Sequence, residues 1–202
     1  MLTGLVLAAG ASARMGRPKD SLPIGAETFL VRILRVIRGT VADHVIVVVA
    51  QHSRKHVYHK NLPETAFVQS AGEPTEGQIG SIRTGVSFSL NRAVDALVVW
   101  PVDHPAVTET TVRHLAAAFL RSRRPVVVPV YHGHRGHPVI FSRVVFSELA
   151  AARGPGGAKP VVRRDPDRVL EVPVDDPGVL EDIDTPQDYD LLLKRLAGSE
   201  FV

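Results

Sequence analysis

Four short runs of nearly unbroken apolar residues constrain this chain more than anything else in it. They are GLVLAAG (4–10), HVIVVVA (44–50), DALVVWPVD (95–103) and PVVVPVY (125–131). A strand with one wet face alternates apolar and polar residues, whereas a strand covered on both faces does not. These runs therefore call for a sheet with helices on both sides, and the intervening segments supply them. ETFLVRILRVIRG (27–39) carries Phe29, Leu30, Ile33, Leu34 and Ile37 at helical spacing, with Gly39 as a stop. GQIGSIRTGVSFSL (77–90) reads as a helix with a glycine-rich entrance. TETTVRHLAAAFLRS (108–122) reads as another, N-capped by Thr108. TAFVQS (65–70) adds a shorter strand. The alternation predicts an α/β fold with a mostly parallel sheet.

Beyond residue 131 the pattern loosens. GHPVIF (136–141) and RVLEVPV (168–174) read as strands, and RVVFSELAAAR (143–153) and TPQDYDLLLKRLA (185–197) as helices. GPGGAKP (154–160) reads as a flexible connection. No repeat or interdomain linker interrupts the chain, so residues 1–202 are read as one domain. Hydrophobic residues make up 45% of it, enough for a sizeable core. The absence of cysteine excludes disulfides, thiolate metal sites and cysteine nucleophiles, and fits a reducing compartment. The apolar run 5–9 is too short for a signal peptide, and no run has the length to span a membrane. The net charge is +3, but the basic residues are scattered and aromatics are only 5%. Without a basic and aromatic stripe, neither nucleic acid nor a membrane is an expected partner.

In a parallel sheet ligands bind beyond the carboxyl ends of the strands. The first such loop, ASARMGRPK (11–19), has small residues that admit a ligand close to the backbone, whose N–H groups can cradle phosphate. Arg14 can clamp phosphate in bidentate fashion and Lys19 adds a point charge. The Walker and dinucleotide-binding patterns are both absent. Asp103, just past a buried strand, could hold Mg2+ against phosphates or simply cap a turn. The cluster Glu181, Asp182, Asp184 and Asp188 could cap the last helix, or could lend Asp184 as a second carboxylate. Gly77, Gln78 and Ser81 could face a base or ribose, or serve close packing. HGHRGHP (132–138) has spacings open to zinc, or forms a polar loop near an acceptor, where His104 and His137 are the candidates.

The pieces LAAGASARMGRPK (7–19), GQIGSIRTG (77–85), VDHP (102–105), GHPVIF (136–141) and DIDTPQDYDLL (182–192) resemble the MobA-like nucleoside triphosphate transferases, over essentially the whole chain. Within that family the likeness points to the molybdenum cofactor cytidylyltransferase branch. The resemblance implies a Rossmann-like α/β/α sandwich, a cytoplasmic location and Mg2+-dependent nucleotidyl transfer. By it, Leu7, Ala8, Ala9, Gly10, Ala11 and Ser12 contact the nucleotide, together with Gly77, Gln78 and Ser81. Arg14 and Lys19 hold the triphosphate, and Asp103 and Asp184 hold the metal, with Asp182 two residues from the latter. Arg14, Lys19 and Asp103 are then the catalytic residues. The Ala8-Ala9-Gly10 triplet leans towards CTP as donor. The acceptor is a phosphate-bearing molecule such as molybdopterin, with a molybdoenzyme as client. The branch commonly has G-D-x-P and G-D-x-G-A-R where this chain has Val102-Asp103-His104-Pro105 and Gly154-Pro155-Gly156-Gly157-Ala158-Lys159. Transfer to a sugar or polyol phosphate, and a non-catalytic nucleotide-binding accessory role, are the competing readings.

Overall fold

The computed structural model describes residues 1–10, 12–42, 44–50, 64–70, 76–154 and 156–199. In chain order the elements are β1 (Leu2–Ala8), β2 (Pro23–Ile24), β3 (Glu27–Thr28), α1 (Phe29–Thr40), β4 (Val45–Val49) and β5 (Thr65–Gln69). Next come α2 (Gln78–Leu90), β6 (Ala96–Pro101), α3 (Glu109–Ser122), β7 (Val126–Tyr131), β8 (His134–Arg135) and β9 (Val139–Ser142). The chain then forms α4 (Phe146–Ala151), α5 (Lys159–Arg163), β10 (Val169–Pro173) and α6 (Pro186–Ser199).

The main sheet runs in the order β10-β7-β9-β6-β1-β4-β5, with β8 paired to β7. The pairs β1·β4, β1·β6, β4·β5 and β7·β10 are parallel, as the alternation predicts. β9 is inserted antiparallel between β6 and β7, and β8 also pairs antiparallel with β7. Residues 132–138 separate β7 from β9 and are too few for the crossover helix a parallel neighbour needs.

Every residue of β4 is buried, and successive side chains enter opposite layers. Val45, Val47 and Val49 join Val6 against Ile33 and Ile37 of α1. Ile46 and Val48 join Leu5 and Leu7 against Ile79, Ile82 and Val86 of α2. Leu115 and Ala118 of α3 pack on Val98, Val127 and Ile140. Two glycines set the closeness of this sandwich. A Cβ on Gly4 would meet Ile37 Cγ2 at 2.9 Å, and one on Gly85 would meet Leu5 Cδ1 at 2.3 Å. Helices α1 and α2 thus close on β1 from opposite faces, and close packing accounts for Gly85.

Three expectations past residue 131 need correction. The strand begins at Val139 rather than at 136, because Gly136 and His137 spend their N–H groups on Pro129 O and Val179 O, both at 2.9 Å. The helix expected over 143–153 opens as a 3-10 turn, Arg143–Val145, and its α-helical part ends at Ala151. The connection expected to be flexible leads into α5, with Pro160 in its first turn where a missing N–H costs nothing.

Candidate active site

The chain leaves β1 toward β4 and later returns to β6 on the other side of β1, so the sheet has its topological switch between β1 and β6. Two loops meet at that crevice. The first starts with Ala8 and Ala9 half-buried and Gly10 exposed. Ser12 takes a left-handed conformation (φ 49°), and its carbonyl accepts from Met15 N and Gly16 N, both at 3.1 Å. Lys19 N donates to Ser12 Oγ at 3.3 Å. Met15 is buried in the layer under α1 and pins the middle of the loop. The loop thereby turns back and points Lys19 at the end of β6.

There the Lys19 ammonium lies 3.6 Å from Asp103 Oδ2 and is ion-paired with Asp184 Oδ1. Arg14 pairs with the other oxygen of Asp184. The Lys19 side chain is only 11% exposed and Arg14 is 70% exposed, so Lys19 lies inside the site and Arg14 at its mouth. The other oxygen of Asp103 faces His104 Nδ1 at 2.9 Å. Trp100 Nε1 donates to the His104 carbonyl at 2.9 Å and so fixes this turn to the core. Burial pushes the Asp103 carboxyl up, but the hydrogen bond from His104 and the nearby Lys19 outweigh it and hold the group below its ordinary value. The His137 ring meets the His104 ring edge-on, with centroids 4.8 Å apart. Burial and the neighbouring His104 push His137 down to about 3. His137 also walls a cavity of about 280 Å3 between α2, β9 and α5.

Asp184 reaches Lys19, beside Asp103, from far along the chain because a strap, residues 174–184, lies across the strand ends. Asp176, buried at 4% exposure, accepts from Thr108 N at 2.9 Å, Thr108 Oγ1 at 2.9 Å, Thr111 Oγ1 at 2.7 Å and Gly178 N at 3.0 Å. It braces Thr108, the N-cap of α3, and ties the strap down with one carboxylate. Gly178 sits where a Cβ would be 2.7 Å from the Ala106 carbonyl, and Ile183 N donates to Asp103 O at 2.8 Å. Nothing in the sequence singles out Asp176; only its contacts do.

The acidic cluster separates into distinct duties. Asp188 accepts from Asp184 N, Thr185 N and Thr185 Oγ1, at 3.1, 2.7 and 2.8 Å, which holds its carboxyl below the usual range and makes it a cap of α6. Glu181 pairs with Arg195 and Asp182 is exposed, so Asp184 is the member that faces the site. Gly77 and Gln78 are exposed at the start of α2, and Ser81 is buried one turn on. Leu7 belongs to the sheet: its side chain is core, and its carbonyl accepts from Val102 N at 3.1 Å. Ala11 lies outside the described residues. His132 is exposed on the β7–β8 turn and His134 at the start of β8. Among the described residues no group of three or more histidine or acidic side chains is assembled to hold a metal. Two half-buried carboxylates facing a phosphate-type loop do suit a hard divalent cation, which takes one or two carboxylates and completes its shell with phosphate and water. No helix among the described residues is long and apolar enough to cross a membrane.

Comparison with known proteins identifies the family. The chain is 29% identical to the purine catabolism protein PucB of Bacillus subtilis, over 97% of this chain and 98% of that one. It is 33% identical to a molybdenum cofactor guanylyltransferase of Xanthomonas euvesicatoria, over 57% of this chain and 53% of that one. The crystal structure of Rv0371C of Mycobacterium tuberculosis in complex with manganese superposes with a TM-score of 0.76 at 31% identity, over 96% of this chain and 98% of that one. Residues 4–169 match the MobA-like NTP transferase domain, and the chain belongs to that family.

Proposed function

We propose that this chain moves a nucleoside monophosphate from a nucleoside triphosphate to a phosphate-bearing acceptor and releases pyrophosphate. The observation that carries the reading is Lys19, held between Asp103 and Asp184 above the switch point of the sheet. The site keeps cations and carboxylates in one pocket, which is what a metal-bound polyphosphate requires.

The acceptor phosphate has its second pKa near ~6 and is largely dianionic at neutral pH. It needs no protein base to become a nucleophile. Its oxygen forms a bond to the α-phosphorus in line, and the bond from that phosphorus to the bridging oxygen breaks, so that pyrophosphate leaves with the electron pair. The work of the protein is positioning and charge neutralisation. Asp103 and Asp184 are the residues that would hold Mg2+ or Mn2+, whose chemistry is to neutralise phosphate oxygens. Lys19 and Arg14 exchange their carboxylate partners for the triphosphate and stabilise the charge that grows on the leaving group. Backbone of Ala8, Ala9, Gly10 and Ser12 lies beside the nucleotide, with Gly77 and Gln78 at the opposite rim. His104 holds Asp103 in orientation, and His137 faces the acceptor.

The finer reading takes CTP as donor and a molybdopterin-type phosphate as acceptor. The Ala8-Ala9-Gly10 triplet favours CTP, while the guanylyltransferase relative makes GTP the first competitor. The test is pyrophosphate release with Mg2+, each of CTP, GTP, UTP and ATP, and a panel of molybdopterin, sugar phosphates and polyol phosphates. Melting temperatures with each Mg2+–nucleotide accompany it. A nucleotide at about 100 times its dissociation constant adds ~2.7 kcal/mol of stability. Release that needs both a divalent cation and an acceptor, greatest with CTP, is the expected result. No release and no melting shift with any nucleotide overturns the proposal.

A further inference from the structure

Lys19 serves two carboxylates at once, 3.6 Å from Asp103 Oδ2 and ion-paired with Asp184 Oδ1. Arg14 takes the other oxygen of Asp184, and His104 Nδ1 faces the other oxygen of Asp103 at 2.9 Å. Every carboxylate oxygen of the pair therefore has a partner supplied by the chain itself, and the two cations and two carboxylates cancel in charge. The side chains of Lys19, Asp103 and Asp184 are only 11, 21 and 26% exposed, so water weakens these contacts less than it would at the surface. Arg17, on the same loop, is turned aside: its guanidinium lies over the Tyr189 ring, 5.4 Å from the centroid. Asp182, on the same strap as Asp184, is exposed.

A divalent cation that arrives alone has to displace Lys19 and Arg14, which strips both of their partners. A triphosphate that arrives alone has to draw the same two cations away, which leaves two partly buried carboxylates without a counter-charge. Each separation is costly, because a charge removed from water loses more with its partner than an exposed one does. Arriving together, the two avoid that cost: Lys19 and Arg14 pass to phosphate, Asp103 and Asp184 pass to the metal, and every charge keeps an opposite. Resting on the transferase reading above, we infer that Lys19 and Arg14 are a latch on Asp103 and Asp184, which disfavours the divalent cation and the triphosphate singly and admits them as a pair. By linkage the coupling is reciprocal, so releasing the latch from the cation side frees the carboxylates for metal, and releasing it from the carboxylate side frees the cations for phosphate.

The probes are Mn2+ alone, followed by electron paramagnetic resonance, and inorganic tripolyphosphate alone, titrated calorimetrically in EDTA. They are applied to the unaltered protein and to Lys19→Met, Arg14→Met and Asp184→Asn, with Arg17→Met and Asp182→Asn as charge-matched controls, and melting curves check that the variants are folded. Lys19→Met is expected to bind Mn2+ at least about tenfold tighter than the unaltered protein, and Arg14→Met at least about threefold tighter. Asp184→Asn is expected to bind tripolyphosphate at least about threefold tighter, and each control to stay within about twofold of the unaltered protein. Mn2+ bound no tighter by Lys19→Met overturns the latch, as does tripolyphosphate bound no tighter by Asp184→Asn. A control that gains as much as its counterpart also overturns it, since overall charge would then explain the effect. Mn2+ supplied with each of CTP, GTP, UTP and ATP separates the two readings. If one of these pairs binds the unaltered protein while Lys19→Met gains nothing for Mn2+, the latch fails alone. If the variants behave as expected and no Mn2+–nucleotide binds, the latch stands and the transferase reading fails.

Discussion

Asp103 shows how much of the site rests on one side chain. Its two oxygens are shared between Lys19 and His104, and its carboxyl is held ionised although partly buried. Asp103→Asn keeps the shape and removes the charge. Pyrophosphate release is expected to fall at least about 100-fold, the scale of losing a charge-stabilising group, with the melting temperature little changed. A rate near that of the unaltered protein would remove Asp103 from the chemistry. His137 makes a prediction in pH. The unfolded chain binds a proton at this ring near the ordinary 6.5, and the folded one only near about 3. The unfolded state therefore carries more protons between those values, and folding stability is lost as pH falls from 6.5 toward 3. His104, Asp103 and Lys159 are the charged or titratable groups that act on the ring. Urea unfolding midpoints between pH 7 and pH 5 read this above the carboxylate range. His137→Asn is expected to reduce the slope by at most about one proton, and an unchanged slope would mean the ring titrates alike in both states.

At the level of elements, the sandwich and the strap make separate predictions. Gly85 lets α2 close on β1, and an added Cβ would fall 2.3 Å from Leu5 Cδ1. Gly85→Ala is expected to cost about 1–3 kcal/mol, as overpacking does, and to lower the melting temperature. Gly10, where an added Cβ meets nothing within 4 Å, is the contrast: Gly10→Ala should leave the melting temperature nearly unchanged. Equal effects at both positions would contradict the packing described here. The strap predicts a link between stability and metal binding. Asp176→Ala removes the acceptor of four hydrogen bonds, three from the start of α3 and one from Gly178 of the strap. It is expected to cost about 2 kcal/mol by loss of these bonds, which leaves buried donors unpaired. It should also weaken Mn2+ binding, followed by electron paramagnetic resonance, because Asp184 is carried on the same strap. Asp176→Asn, which retains acceptor ability, should recover part of both. A variant that loses stability but binds Mn2+ fully would show that the strap supports the fold and not the site.

Across the whole molecule, what could be read from the chain alone was whatever depends on neighbours in sequence. Val45–Val49 declares a strand buried on both faces because period-two burial on two sides leaves no polar position. The loop 11–19 declares phosphate chemistry because small residues, Arg14 and Lys19 lie within one turn of chain. Asp103 was legible for the same reason, standing just past a buried strand. Direction and meeting were not legible. The VIFS of β9 has the same apolar character in either orientation, and only the short connection from β7 makes it antiparallel. Gly154, Gly156 and Gly157 masked the helix that begins at Lys159, since local propensity there argues against order. Asp176 and Asp184 look alike in sequence, two acids near turns. The fold turns one into an anchor for α3 and sets the other against Lys19, 165 residues away. The sequence by itself determined the layers, the strand ends and the phosphate loop, because these follow from hydrophobic period and local residue type. Tertiary structure alone decided which carboxylates share Lys19 and what lines the cavity beside His137. Those outcomes depend on where the strap and α5 come to rest, and packing between distant segments sets that.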